Sequence, residues 1–229
     1  MSQISIWNLA LARLGDPATV GAPDERSRQA ELCRQFYPLA RRSVLEMRDW
    51  NFNTRVGLMA PLALAPEMAH WRFAYSFPAD ALRVFRVGEP YSLTGSPDAE
   101  GADFEVITLQ DGGRAVLTDW PEAACKFTID VTDTTKWSPL FTEALTWYLA
   151  SQLAGPLIQG ETGRNEARRM LQEFRMVLGE AERSDANQKQ SKREREGHTP
   201  AWMKGRGLGQ PDASPIAPRT TPPAIFPAQ

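Results

Sequence analysis

Two residues in the chain, His70 and His198, carry an imidazole able to act as a general base near neutral pH. Base chemistry or a zinc site also needs a second imidazole, a carboxylate or a thiolate within reach. His70 sits beside Trp71 ahead of an aromatic run, which suits packing or a local hydrogen bond, and His198 lies in a polar run. Cys33 and Cys125 form no C-x-x-C pair, and both fall in apolar stretches where a buried free thiol is expected. Asp119, Asp130 and Asp133 have the best claim to cation binding or paired acid–base work, at the end of a sheet. Their context reads otherwise: Asp119 and Asp133 open turns, and Asp130 points outward from a strand. Gly205, Gly207 and Gly209 make a G-x-G-x-G string without a Gly-Lys-Ser/Thr ending or a preceding strand, which reads as a flexible exit rather than a phosphate loop. Beside it, Trp202, Lys204 and Arg206 suit docking on an acidic or apolar partner surface. The expectation is a chain with no catalytic site, no cofactor and no metal.

The elements that would position these groups follow from hydrophobic period. Ile4, Trp7, Leu11 and Leu14, with Ala10, give a first helix over 3–14, stopped by Gly15, Asp16 and Pro17. Asp24 is the expected N-cap of a longer second helix with the stripe Ala30, Cys33, Tyr37, Ala40, Val44 and Met47. Arg34, Arg41, Arg42, Glu46 and Arg48 fall on its polar surface, and residues 49–53 close it. The period then changes to two. Leu82, Val84 and Arg86 alternate with Arg83, Phe85 and Val87, while Cys125, Phe127, Ile129 and Val131 oppose Lys126, Thr128 and Asp130. Asp111, Gly112 and Gly113 predict a turn between strands over 104–109 and 114–117. Ser138 followed by Pro139 predicts a helix start, with the helix running to a stop at Gly155 and Pro156. A last helix from about Gly163 carries Met170, Phe174, Val177 and Ala181 on one face. Prolines 211, 215, 218, 222, 223 and 227 deny the final stretch helix or central strand.

The fold class expected is α+β: a helical bundle with an inserted small antiparallel β domain and an extended C-terminal tail. Its parts are N-terminal helices over 1–57, a β-rich insert over 58–135, C-terminal helices over 136–196 and a proline-rich docking tail over 197–229. Trp50, Phe52, Trp71, Phe73, Tyr75 and Phe77 are expected to pack where helices and sheet meet, a junction that can also receive an adjacent subunit. A net charge of −2 opposes tight non-specific binding of nucleic acid through a basic surface. Arg13 and Asp16 come too early for a secretory signal, and no apolar run reaches the roughly 20 residues that span a bilayer, so a cytoplasmic chain without a membrane anchor is expected.

Several strings, taken in order, resemble the head-to-tail adaptors of tailed bacteriophages, the tail tubular protein A family. They are N-L-A-L-A-R-L-G-D at 8–16, D-W-N-F at 49–52, W-R-F-A-Y-S-F-P-A-D-A-L-R-V at 71–84, L-T-D at 117–119, W-S-P-L-F-T-E-A-L at 137–145 and D-A-N at 185–187. The resemblance implies a virion protein of the virus tail, a connector in a ring of twelve subunits between the portal protein and the tail nozzle protein. Double-stranded DNA would pass through its channel, without sequence recognition, during genome ejection. It places the protein at the head-to-tail interface of the virion, assembled in the host cytoplasm. It also implies architectural roles: Trp50 and Phe52 at the base of the insert, Trp71, Tyr75, Pro78 and Asp80 where the chain enters the sheet, and Trp137 and Pro139 where it returns to the bundle. A C-terminal segment would help lock the ring to the portal, although the proline-rich extension after Trp202 departs from the family pattern. Two other readings compete: a non-viral helical scaffold with a recognition insert, and an enzyme using carboxylates spread through sheet and helices.

Overall fold

The computed structural model describes residues 1–63, 70–90, 93 and 101–188. They form four long helices and seven strands, with the strands falling between the second and third helices in chain order. Helix α1 spans Gln3–Arg13, capped by Ser2, whose hydroxyl accepts from Ser5 N–H. Its buried face is Ile6, Trp7, Ala10 and Leu11. Ile4, expected in that face, is only half-buried, and Ile6 takes its place.

Helix α2 spans Arg28–Met47, and its N-cap is Ser27 rather than Asp24. The Ser27 hydroxyl accepts from Ala30 N–H at 3.3 Å, so the helix starts later than the acidic residue suggests. Ala30, Cys33, Tyr37, Ala40 and Val44 are buried as their spacing predicts, but Leu45 completes the stripe and Met47 faces outward. Helix α3, Pro139–Ile158, begins on the Ser138–Pro139 pair: the Ser138 hydroxyl accepts from Phe141 N–H at 3.2 Å. This helix is buried on several sides, and the hydroxyls of Thr142, Thr146 and Ser151 donate to carbonyls three or four residues back.

Gly155 and Pro156 do not end α3. Proline in the final turn removes one hydrogen bond near an end that frays anyway. The chain reverses instead at Gln159 and Gly160, both at positive φ (59° and 61°), and α4 follows over Gly160–Ala186. Close approach of α3 and α4 depends on Gly163, where a Cβ would sit 3.0 Å from the Ala154 carbonyl oxygen.

Strands β1 (Thr54–Leu58), β7 (Ala124–Ile129) and β4 (Ala81–Gly88) form one antiparallel sheet, in that order. The second, also antiparallel, orders β2 (Pro61–Leu62), β3 (Phe73–Ser76), β6 (Arg114–Thr118) and β5 (Phe104–Thr108). Between β5 and β6 the expected turn forms, with Gly112 at φ 82° and the Asp111 carboxylate accepting from Gly113 N–H at 2.8 Å. Strict alternation fails in β4. Its register against β7 shifts between Ala81 and Arg83 and again between Val84 and Arg86. Each bulge consumes a residue, so Ala81, Val84 and Val87 share the buried side, with Gly88 buried at the strand's end. In β7, Thr128 is buried on the face expected to be polar, with its hydroxyl donating to the Arg83 carbonyl.

Two main cores result. Trp7, Tyr37, Trp50, Phe141, Leu145, Leu149, Met170 and Phe174 belong to the helical one, which also takes in Val131 and Trp137. Met59, Tyr75, Phe77, Val84, Val87, Val116, Cys125 and Phe127 draw the two sheets face to face. Leu82 and Ile129 pack against the helical core, which places the β1–β7–β4 sheet between the helices and the second sheet. Among the described residues no helix is long and apolar enough to cross a membrane.

Candidate functional junction

The junction is built on the segment that follows α2. Trp50 is buried, and its indole Nε1–H donates to the Val44 carbonyl at 3.1 Å, which folds the segment back on the last turn of the helix. Phe52 stacks on Trp50 at 6.1 Å, and Phe141 meets both edge-on, at 5.2 and 5.0 Å. Trp137 adds a third edge contact to Phe141 at 5.2 Å, and its Nε1–H donates to the Val131 carbonyl at 3.2 Å. These rings join the end of α2, the start of α3 and the exit from β7.

A polar clamp runs beside them. Asn51 N–H donates to the Asp185 carboxylate, at 3.2 and 3.1 Å to its two oxygens, and Asn51 Nδ2 donates to the Asp185 carbonyl at 2.8 Å. Arg48 and Glu182 form an ion pair on the same side, and a cavity of about 160 Å³ lies among Arg48, Asp49, Trp50, Glu182, Asp185 and Ala186. Asn53, fully buried, donates from Nδ2 to the Leu45 carbonyl at 3.0 Å, and its own carbonyl accepts from Ile129 N–H at 2.9 Å. One short segment thus holds α2, α4 and β7 together.

The eight junction residues named from sequence fall into two groups. Trp50, Phe52 and Trp137 gather at the helical core, while Pro139 is exposed in the first turn of α3. The other four lie in the β region, Tyr75 in a strand and Trp71, Pro78 and Asp80 in the segments beside it. Tyr75 is buried between the two sheets, its hydroxyl donating to the Trp120 carbonyl at 3.0 Å. Trp71 donates from Nε1 to Glu105 Oε2 at 3.1 Å and packs with Ala74 and Leu117 in a small third cluster. The Pro78 carbonyl accepts from Ala81 N–H at 3.0 Å in the turn into β4, and Asp80 in that turn is exposed. Phe73 is 36% exposed, and Phe77 belongs to the core between the sheets. The tail residues Trp202, Lys204 and Arg206, with His198 and the glycine string, lie outside the described residues.

The carboxylates singled out earlier are dispersed. Asp119 Oδ1 accepts from Arg72 N–H at 3.0 Å. Asp133 caps a short 3-10 turn, and hydrogen bonds from the Thr135 hydroxyl and N–H hold its carboxyl below the usual range. Asp130 is engaged by α2: Arg41 grips it with both Nε and Nη2, at 2.9 and 2.8 Å. Arg41 is therefore drawn in from the polar surface of α2 to an interface role. Among the described residues, no three His, Cys, Asp or Glu side chains gather closely enough to hold a metal ion. Burial pushes both thiols, Cys33 and Cys125, up to about 12, which leaves them protonated and unreactive at neutral pH. His70 Nε2 lies 3.5 Å from the exposed Glu105 carboxylate.

A larger cavity, about 540 Å³, opens between α1 and the start of α3, with Leu9, Arg13, Trp137, Thr142, Glu143 and Thr146 in its wall. Arg13 stacks over the Trp147 ring at 3.8 Å and pairs with Glu143 at 3.6 Å. Burial lowers its pKa, against the opposing pull of Glu143.

Phe141, Asn51, Asn53 and Asp185 are junction residues that pattern reading did not single out. Asn51 and Asp185 were within view, in the D-W-N-F and D-A-N strings, but their pairing spans 134 positions and no local periodicity encodes it. No protein-family model matches the chain, and no curated protein matches it either.

Proposed function

We propose that the protein is a structural head-to-tail adaptor, a ring-forming connector between a phage portal and its tail nozzle. In this reading the helices are the bundle, the strands its inserted β domain, and residues 197–229 a docking tail. The observation that carries the reading is the use made of the polar residues in the resembling strings. Several are spent on one another or on the body: Asn8 exchanges two hydrogen bonds with Val20, Arg13 pairs with Glu143, and Asn51 clamps Asp185. D-W-N-F and W-S-P-L-F meet ring to ring through Trp50, Phe52, Trp137 and Phe141. Side chains committed to fixing a shape suit a part whose work is to present matched surfaces, with contacts between copies that close by rotation.

Mixing the purified protein with the portal of its own phage, followed by native mass spectrometry and electron microscopy, tests this. A twelvefold complex is expected. A 25.5 kDa species that ignores the portal overturns the reading. Removing residues 205–229 is expected to leave the melting curve unchanged and to weaken portal affinity.

A further inference from the structure

Apart from the junction and the cavity beside α1, a further depression lies at one end of the β1–β7–β4 sheet. Leu58 opposite Ala124, and Ala124 opposite Gly88, make the last row of that sheet. Past this row the chain leaves β4 through Glu89 and Pro90, and it approaches β7 through Trp120, Pro121 and Glu122. These segments enclose a groove of about 770 Å³. Its rim is held in a fixed shape. The buried Tyr75 hydroxyl donates to the Trp120 carbonyl at 3.0 Å and accepts from Ala123 N–H at 3.3 Å, which pins both ends of the loop tip. Within the tip Glu122 takes φ 49°, a left-handed conformation that strains any residue but glycine.

The groove is apolar in its wall and one-sided in its charge. Trp120 is 43% exposed and Leu58 73%. A large apolar side chain exposed singly needs no partner, but two in the wall of one groove, flanked by prolines, offer an anchor for a partner's apolar side chain. Glu89, Asp119 and Glu122 stand around them, and among the described residues no lysine or arginine lines the groove. Asp119 accepts from Arg72 N–H at 3.0 Å, a neutral donor that leaves the carboxylate its charge. The sign excludes a phosphate backbone as the occupant. What the groove suits is a peptide that carries cations next to a large apolar side chain.

The chain itself contains such a peptide. Trp202-Met203-Lys204-Gly205-Arg206 brings two large apolar side chains and two cations, and no carboxylate occurs anywhere from 197 to 211. The basic stretch before it, 189–196, interleaves its cations with Glu194 and Glu196 and has no apolar residue at all. We propose that the groove at the end of the β1–β7–β4 sheet is a docking site for residues 202–206 of a second copy of this chain. Trp202 packs on Trp120 and Leu58, and Lys204 and Arg206 meet the three carboxylates. The proposal goes beyond the adaptor reading, because it concerns contact between free copies and leaves the prolines from 211 onward for a portal.

Sedimentation velocity of the full chain over a range of concentrations tests it by exchange of charge. The parent is expected to self-associate, and Lys204→Glu with Arg206→Glu should weaken that association by at least about tenfold. Glu89→Lys with Glu122→Lys should weaken it as much from the groove side. Mixing the two variants, or placing all four substitutions in one chain, should restore it, because each reversed segment then meets a reversed groove. Trp120→Ser should weaken association with the charges intact, and the melting curve of each variant separates a lost contact from a lost fold. A parent that stays monomeric, one-sided variants that associate as the parent does, or a charge exchange that restores nothing each overturn the proposal. Portal binding is read separately: a twelvefold portal complex from copies that ignore one another sinks the groove contact alone, and a groove contact without a portal complex sinks the adaptor reading alone.

Discussion

Phe141 is the residue on which the junction turns, because among the described residues it alone touches the rings of Trp50, Phe52 and Trp137. A phenyl group that is 0% exposed and held by three edge contacts leaves a cavity its neighbours cannot close without breaking two indole hydrogen bonds. Phe141→Ala is therefore expected to lower stability by about 3–5 kcal/mol in urea denaturation. Phe73→Ala, at a ring 36% exposed, should shift it by less than about 1 kcal/mol. Equal losses at the two sites would show that the rings do not form a packed junction. Residue type made Trp50 and Trp137 conspicuous in the sequence, since large aromatics between helix signals belong in a core. Nothing local separated them from Tyr75 and Trp71. That division is made by which sheet each segment joins, and the joining is a non-local event.

Helix ends were legible wherever their chemistry is local. Ser138 offers a hydroxyl to the orphan N–H of Phe141, and Pro139 has no N–H to orphan, so the start of α3 is written in two adjacent residues. Ser138→Ala should cost about 1 kcal/mol, and Ser138→Asp should restore most of it, both readable as shifts of the thermal midpoint. If Ala and Ser melt alike, the cap does not fix this helix. Asp24 misled because a carboxylate before an amphipathic stripe resembles a cap, while the nearer Ser27 has the hydroxyl in reach. Strand β4 was harder to read for a different reason. Its sequence, Ala-Leu-Arg-Val-Phe-Arg-Val, breaks strict alternation with arginine at every third position, and two bulges against β7 bury Ala81, Val84 and Val87, but where bulges fall is decided by the partner strand. The end of α3 was similarly misplaced, because packing carries the helix through Pro156 to a reversal that uses Gln159 at positive φ.

At the scale of the whole molecule, the two cores are joined by few groups, and the joint has a recognisable centre. Leu82, Ile129 and Val131 supply its apolar part, and Asn53 bridges by backbone and side chain. The strongest polar tie is the forked pair between Arg41 and Asp130, which connects the middle of α2 to the residue just after β7. The Arg41 side chain is 13% exposed and that of Asp130 28%, so the pair is screened only in part by water. Removing the guanidinium strands a half-buried carboxylate, since Arg42 reaches it only at 3.9 Å from an exposed position. A loss of about 2 kcal/mol is expected for Arg41→Ala, concentrated at the joint rather than in either core. The parent chain should then unfold in one calorimetric transition, because the joint couples two cores that are each modest in size. Arg41→Ala should divide it, with the sheets melting first. Indole fluorescence offers a second view, since Trp7, Trp50, Trp137 and Trp147 report on the helices while Trp71 and Trp120 report on the sheets. A variant that still melts in one transition, coincident by calorimetry and fluorescence, would place the coupling in the apolar contacts of Ile129 and Val131 instead.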